Sequence, residues 1–200
     1  MENEIKYANT KSGLNKLFTA EILTIVSGFS VVFNGENVKI IGVLLGLLTV
    51  AAFVINLIGL KQCAKDDVGY MKAYKVAIAG LLVCLACTLV GAFGDNSAVV
   101  RATDEIQIVF TYLVAWLVLK TTAPILRDCG KEAEAVYADK VRKLYTAAFI
   151  VSEALRILVD FMTGDIMIAV VAIVAIVALV VLLAAQIKYI IFLRRSANAL

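Results

Sequence analysis

Long unbroken apolar stretches dominate this chain, at about residues 17–33, 40–59, 74–93, 106–126, 144–162 and 166–193. Each is long enough to cross ~30 Å of hydrocarbon as a helix rising ~1.5 Å per residue. Alternation with period two is absent, which excludes a membrane barrel. The pattern predicts an all-α protein, a polytopic bundle of six transmembrane helices in one domain over residues 1–200.

The polar interruptions are themselves periodic. Leu60-Lys61-Gln62-Cys63-Ala64-Lys65, Leu126-Arg127-Asp128-Cys129-Gly130-Lys131 and Leu193-Arg194-Arg195-Ser196-Ala197-Asn198 place their leucines 66 and 67 residues apart. Between them stand tight turns, Phe33-Asn34-Gly35-Glu36, Phe93-Gly94-Asp95 and Phe161-Met162-Thr163-Gly164-Asp165. Lys16-Leu17-Phe18-Thr19-Ala20 resembles Lys143-Leu144-Tyr145-Thr146-Ala147. Such self-similarity predicts three repeated helical hairpins, about 13–65, 66–131 and 132–200, with approximate three-fold order about the membrane normal. Each hairpin starts and ends on one side, so the repeats are parallel and not inverted.

Local signals refine the elements. Residues 1–12 form a polar cytoplasmic arm, expected to be mobile, and Ser12 is expected to cap the first helix. Asp66 is expected to cap the third helix, and Gly130 to take the left-handed position that ends the fourth. Glu132–Tyr145 is rich in helix formers and extends the fifth helix beyond 30 residues. Gly94–Glu105 is expected to be an acidic loop. Pro124, the one proline, marks the inner end or a hinge of the fourth helix.

Composition supports this class. The chain is 62% hydrophobic, with a mean hydropathy of +0.93, more apolar surface than a soluble domain of this length can bury. No cleavage site follows the polar first residues, so the first helix is expected to remain as an anchor. Lys6, Lys11, Lys16, Lys61, Lys65, Lys72, Lys75, Arg127, Lys131, Lys140, Arg142, Lys143, Arg194 and Arg195 fall at one face, against Lys39 and Arg101 at the other. The asymmetry predicts cytoplasmic termini and a cell inner (plasma) membrane location. The net charge of +3 is then a topology device that also attracts anionic lipid, and no nucleic acid is expected as a partner. The chain has no histidine, which removes the commonest metal ligand and general base. No catalytic residue, metal site or cofactor is expected.

Two kinds of residue remain as candidates. Glu21, Lys120, Glu153, Arg156, Asp160 and Lys188 are ionisable and fall within or at the edge of apolar spans, where a charge costs at least ~3 kcal/mol. Three are acidic and three basic, so pairing across helices is expected. Lys188 lies near an inner end and can snorkel. Glu21, Lys120, Glu153, Arg156 and Asp160 are expected to converge on one polar interior, either a pocket that binds a substrate or ion or a closed ion-pair network that fixes helix register. The second kind is small: Ala73, Ala77, Gly80, Cys84, Cys87 and Gly91 form one face of the third helix, and Gly42-x-x-x-Gly46 marks the second. Cys84 and Cys87 are expected to serve as small packing residues and not as a redox pair.

The leading function is a small-solute or ion binding and translocation component, its partners the lipid bilayer and a small polar or ionic ligand. The alternative is a non-catalytic structural or accessory subunit that docks a partner membrane protein or a homo-oligomer through the small-residue faces. An enzyme is not expected.

Overall fold

The computed structural model describes residues 6–28, 39–94, 97–161 and 165–200, and the side chains among these except at 39–41, 92–94, 97–101, 104, 158–161, 165–173 and 175. Among the described residues there are six α-helices and no strand: α1 Ala8–Gly28, α2 Lys39–Cys63, α3 Val68–Gly94, α4 Ser97–Asp128, α5 Glu132–Phe161 and α6 Asp165–Ala199. Four carry a stretch long and apolar enough to cross a membrane, at Gly42–Cys63, Val68–Gly91, Glu105–Asp128 and Ile176–Ala199. Four of the six expected spans are thus met among the described residues. In α1, Lys11, Lys16 and Glu21 occupy the described part, and the apolar run continues past Gly28 into residues outside it. In α5, the charged segment Glu132–Tyr145 and then Glu153 and Arg156 interrupt the apolar run.

Consecutive helices pack most broadly, α1 on α2, α3 on α4 and α5 on α6. Contacts of α4 with α5 and of α1 with α6 join these pairs, and α2 touches α3 over a smaller area. The centres of the expected outer turns lie outside the described residues.

Burial is concentrated at one end, where residues 7–14, residues 189–200 and the connectors at 64–67 and 129–131 meet. The three punctuating leucines, Leu60, Leu126 and Leu193, are each 0% exposed and belong to one apolar cluster with Leu14, Tyr70, Val118 and Phe192. Away from this end large apolar side chains face outward, among them Val43, Leu47, Leu82, Leu89, Ile150 and Ile176. In water so large an apolar surface is an aggregation hazard, whereas a bilayer solvates it.

The connector end is tied by hydrogen bonds that correct three local expectations. The first helix starts at Ala8 and not after Ser12. Its cap is supplied from another segment: the Asp66 carboxylate accepts from the Thr10 backbone N–H at 2.6 Å, the Thr10 hydroxyl at 2.9 Å and Asn9 Nδ2 at 2.8 Å. The N-terminal N–H groups of a helix have no partner within it, and a carboxylate there also meets the positive end of the helix dipole. The arm is therefore docked over its described part, with Thr10 fully buried and the Tyr7 hydroxyl donating to Asp128 at 3.4 Å. With Asp66 engaged by α1, Asp67 caps α3 instead, accepting from the Gly69 N–H at 2.6 Å.

At the second connector Gly130 takes φ +72°, as expected. The Lys131 N–H donates to Leu126 O and the Gly130 N–H to Arg127 O, both at 2.8 Å. This is the Schellman closure of a helix C-terminus. The expected loop at Gly94–Glu105 is helical from Ser97 onward, built from helix-compatible residues such as Ala98, Ala102 and Glu105. Pro124 lies inside α4, which continues to Asp128. The α5 helix spans 30 described residues, Glu132–Phe161.

Helices approach most closely at glycines. A Cβ on Gly13 would lie 2.6 Å from Gly59 O, and one on Gly59 would lie 2.9 Å from Gly13 O, so α1 and α2 cross backbone to backbone there. Gly80 receives the ring of Phe110, whose Cγ lies 2.7 Å from the corresponding Cβ position.

Candidate functional site

Glu21 lies one turn beyond the buried Leu17 on α1, so the packing that seats Leu17 and Ala20 turns its carboxyl group toward α6. There Gln186, beside the fully buried Ala185, donates from Nε2 to Glu21 Oε2 at 2.7 Å. The other end of the amide accepts from the Tyr145 hydroxyl of α5 at 2.9 Å. A carboxylate, an amide and a phenol thus form one chain across three helices. Glu21 Oε2, both ends of the Gln186 amide and the Tyr145 hydroxyl each have a partner in it.

Aromatic rings enclose the chain. Tyr145 stacks on Tyr112 at 6.0 Å and meets Tyr189 at 5.8 Å, while Tyr112 stacks on Phe149 at 4.1 Å. The Tyr112 hydroxyl donates to Thr146 Oγ1 at 3.1 Å. A second polar chain, Tyr70 OH with Thr122 Oγ1 at 2.7 Å and Thr122 Oγ1 to Val118 O at 2.7 Å, joins α3 to α4. Both of its side chains are fully buried, and it serves as a structural tie beside Pro124.

Of the five charged residues expected to converge, Glu21, Lys120, Glu153 and Arg156 have described side chains, and these four do not meet at one point. Glu21 meets Gln186. Lys120 stands exposed on α4, its ammonium 4.8 Å from the centroid of the Trp116 ring. Glu153 and Arg156 pair along α5, and Arg156 also pairs with Glu105 of α4. The Asp160 side chain lies outside the described residues. The ion pairs among the described residues join Arg127, Arg142, Arg156 and Arg195 to Glu132, Asp139, Glu105, Glu153 and Glu134, and none includes Glu21. The reason is angular. Spacing along each helix sets the depth of a charge, but the rotation of the helix in the bundle sets where it points, and the buried seams of α1, α4 and α5 face different neighbours.

The small residues divide as well. Gly80 and Gly91 are buried on α3, and Cys84 and Cys87 are half-buried beside them. Gly42 and Gly46 on α2 are exposed, with nothing within 4 Å of their Cβ positions. The α2 approach to α1 is made at Gly59 and Gly13 instead, a pair the spacing rule did not single out.

Gln186, Tyr145 and Glu105 were not anticipated. Gln186 had a legible signal, being the lone amide in the apolar run 166–193. Glu105 fell in a segment read as loop. Among the described residues no group of three His, Cys, Asp or Glu side chains gathers that could hold a metal ion. Comparison of the chain with protein-family models, with curated proteins and with solved structures finds no match.

Proposed function

We propose that this is a multi-pass membrane protein that binds a small cation or a proton at Glu21, as a solute- or ion-binding and translocation component. In this reading six crossings form three hairpins of one design, with both termini in the cytoplasm and the chain in the inner (plasma) membrane. The observation that carries it is a carboxyl group held among the helices by Gln186, with no ion pair to a Lys or Arg among the described residues. Glu21 is half-buried, and a carboxylate that loses part of its water incurs a cost of which a neutral hydrogen bond returns only a part. A bound proton or cation supplies the rest, and the oxygen-rich Glu21, Gln186 and Tyr145 suit a hard cation. Intramembrane ionisable residues that face a bundle interior belong to ion and proton pathways by default. The role is non-catalytic.

The test is reconstitution into liposomes containing a pH-sensitive dye, with an imposed pH gradient and sodium or potassium outside. Wild-type protein should dissipate the gradient faster than protein-free liposomes, and Glu21→Gln should return the rate to the protein-free value. Equal rates for wild-type and Glu21→Gln would overturn the assignment.

A second reading, an accessory subunit, draws on the open face of α2, where Gly42 and Gly46 stand exposed beside Val43, Leu47 and Val50. It expects a second copy or a fixed partner on that face, lost in Gly46→Leu, together with tolerance of Glu21→Gln.

A further inference from the structure

Between α4 and α5 lies a cavity of about 300 Å³ lined by Trp116, Arg142, Lys143, Thr146, Ala147 and Ile150. Its volume falls at the lower end of the range for small-ligand sites. It is separate from the Glu21 centre, and nothing in the reading of that centre uses it. We propose that this groove holds the phosphate headgroup and upper acyl chain of an anionic phospholipid.

Charge comes first. Lys143 is exposed and, like Lys120, takes part in no ion pair among the described residues. Lys120 lines the neighbouring groove between α3 and α4, but it folds over the Trp116 ring, which sets its ammonium 4.8 Å from the centroid of a residue that lines this one. Arg142 is held at the rim by Asp139, with Nη2 to Oδ1 at 3.0 Å, and Asp139 is shared with Arg127. Arg142 is thereby fixed in place while the two lysines supply uncompensated positive charge. The Thr146 hydroxyl is already committed to Arg142 O and Tyr112, so the ammonium groups must do the recognition.

The order of the lining residues then selects a lipid over a free phosphate. Successive turns of α5 present Arg142 and Lys143, then Thr146 and Ala147, then Ile150, over roughly 12 Å of helix. Cations are followed by small residues and then by an exposed aliphatic side chain, the sequence of headgroup, glycerol and acyl chain in a phospholipid. Ile150 is 58% exposed and continuous with the outward apolar surface of the bundle. A phosphate ion from solution would use the cations and leave this apolar end without a role. Trp116 lies at the junction, where indoles favour the membrane interface. Basic pockets between helices at one membrane face are the recurrent form of anionic-lipid sites.

Trp116 is the one tryptophan of the chain, so its fluorescence reports this groove. The full chain would be reconstituted into phosphatidylcholine vesicles containing equal fractions of brominated phosphatidylglycerol or brominated phosphatidylcholine, brominated high on the chain. Quenching should be stronger for the anionic lipid. The double variant Lys120→Gln/Lys143→Gln should lower its association constant roughly thirtyfold, at about fivefold per lysine. Both lysines are exposed, so the fold is kept, and Lys61→Gln, on exposed α2, should leave the preference unchanged. Equal quenching by the two lipids overturns the proposal. So does a preference that survives the double variant or is lost in Lys61→Gln, since either makes it a property of the whole basic rim. Relief of the quenching by millimolar inorganic phosphate at constant ionic strength would reassign the site to a soluble phosphate and overturn the lipid assignment.

Discussion

One glycine-to-alanine change should destabilise this bundle at Gly13 and leave it unharmed at Gly46. At Gly13 the new Cβ would sit 2.3 Å from Cys63 Sγ, 2.6 Å from Gly59 O and 3.0 Å from Cys63 N, where ordinary contact begins at 3.4 Å. Two of those atoms are backbone of α2, so relief requires α1 and α2 to separate by roughly 1 Å, and that separation forfeits dispersion along the crossing. Overpacking of this kind costs ~1–3 kcal/mol. Alanine returns at most ~1 kcal/mol as the better helix former. With the full return the net loss is about 0–2 kcal/mol. At Gly46 the Cβ meets nothing within 4 Å, so the same substitution keeps only the propensity term and is neutral to stabilising by up to ~1 kcal/mol. For a chain of this size 1 kcal/mol moves the melting temperature by about 2–4 °C, and since the propensity term is common to both variants the overpacking cost puts them about 2–12 °C apart. Thermal unfolding followed by far-ultraviolet circular dichroism, in one detergent at one dilute concentration, measures the gap. A Gly13→Ala protein that melts at or above Gly46→Ala would refute the assignment of the α1–α2 crossing to Gly13 and Gly59.

Two further outcomes follow from the connector end. Asp66→Ala strands the Thr10 N–H, the buried Thr10 hydroxyl and the Asn9 amide. It should cost about 2 kcal/mol and raise hydrogen exchange at Thr10, with Asp66→Asn intermediate because it keeps an acceptor; unchanged exchange at Thr10 would remove Asp66 as the cap. Cys129 sits just past α4, where burial, and then the negative charge of Asp128, hold its thiol above the usual cysteine range. The thiolate is the nucleophile, so maleimide labelling of Cys129, with the other cysteines changed to serine, should be slower at neutral pH than that of an exposed peptide cysteine. The rate should climb at higher pH than for that peptide, and labelling as fast as the peptide at neutral pH would contradict the placement.

The helical class was legible because apolar run length is a one-dimensional property. Leu60, Leu126 and Leu193 were marked by spacing and are each fully buried. Gly130 was legible too, since a left-handed C-cap depends on its own helix alone. The caps were not. Asp66 and Asp67 are adjacent carboxylates before one helix, and local chemistry favours either. The docking of α1 across the connector assigned Asp66 to Thr10 and left Asp67 for α3. In the same way Gly42-x-x-x-Gly46 fits the close-packing pattern while the crossing falls on Gly13 and Gly59, because a small residue permits approach and the global packing decides which permission is used.

By itself, the order of residues determined that the chain is helical, that at least four helices are apolar enough to cross a membrane, and that charges set within its apolar runs call for neutralising partners. Tertiary structure alone decided by what. Glu21 found an amide, Arg156 found two carboxylates and Lys120 found an indole. The physical reason is that hydrophobicity and depth add along the chain, residue by residue. A hydrogen bond needs its two ends within about 3 Å, and that distance depends on the rotation of every helix in the bundle at once.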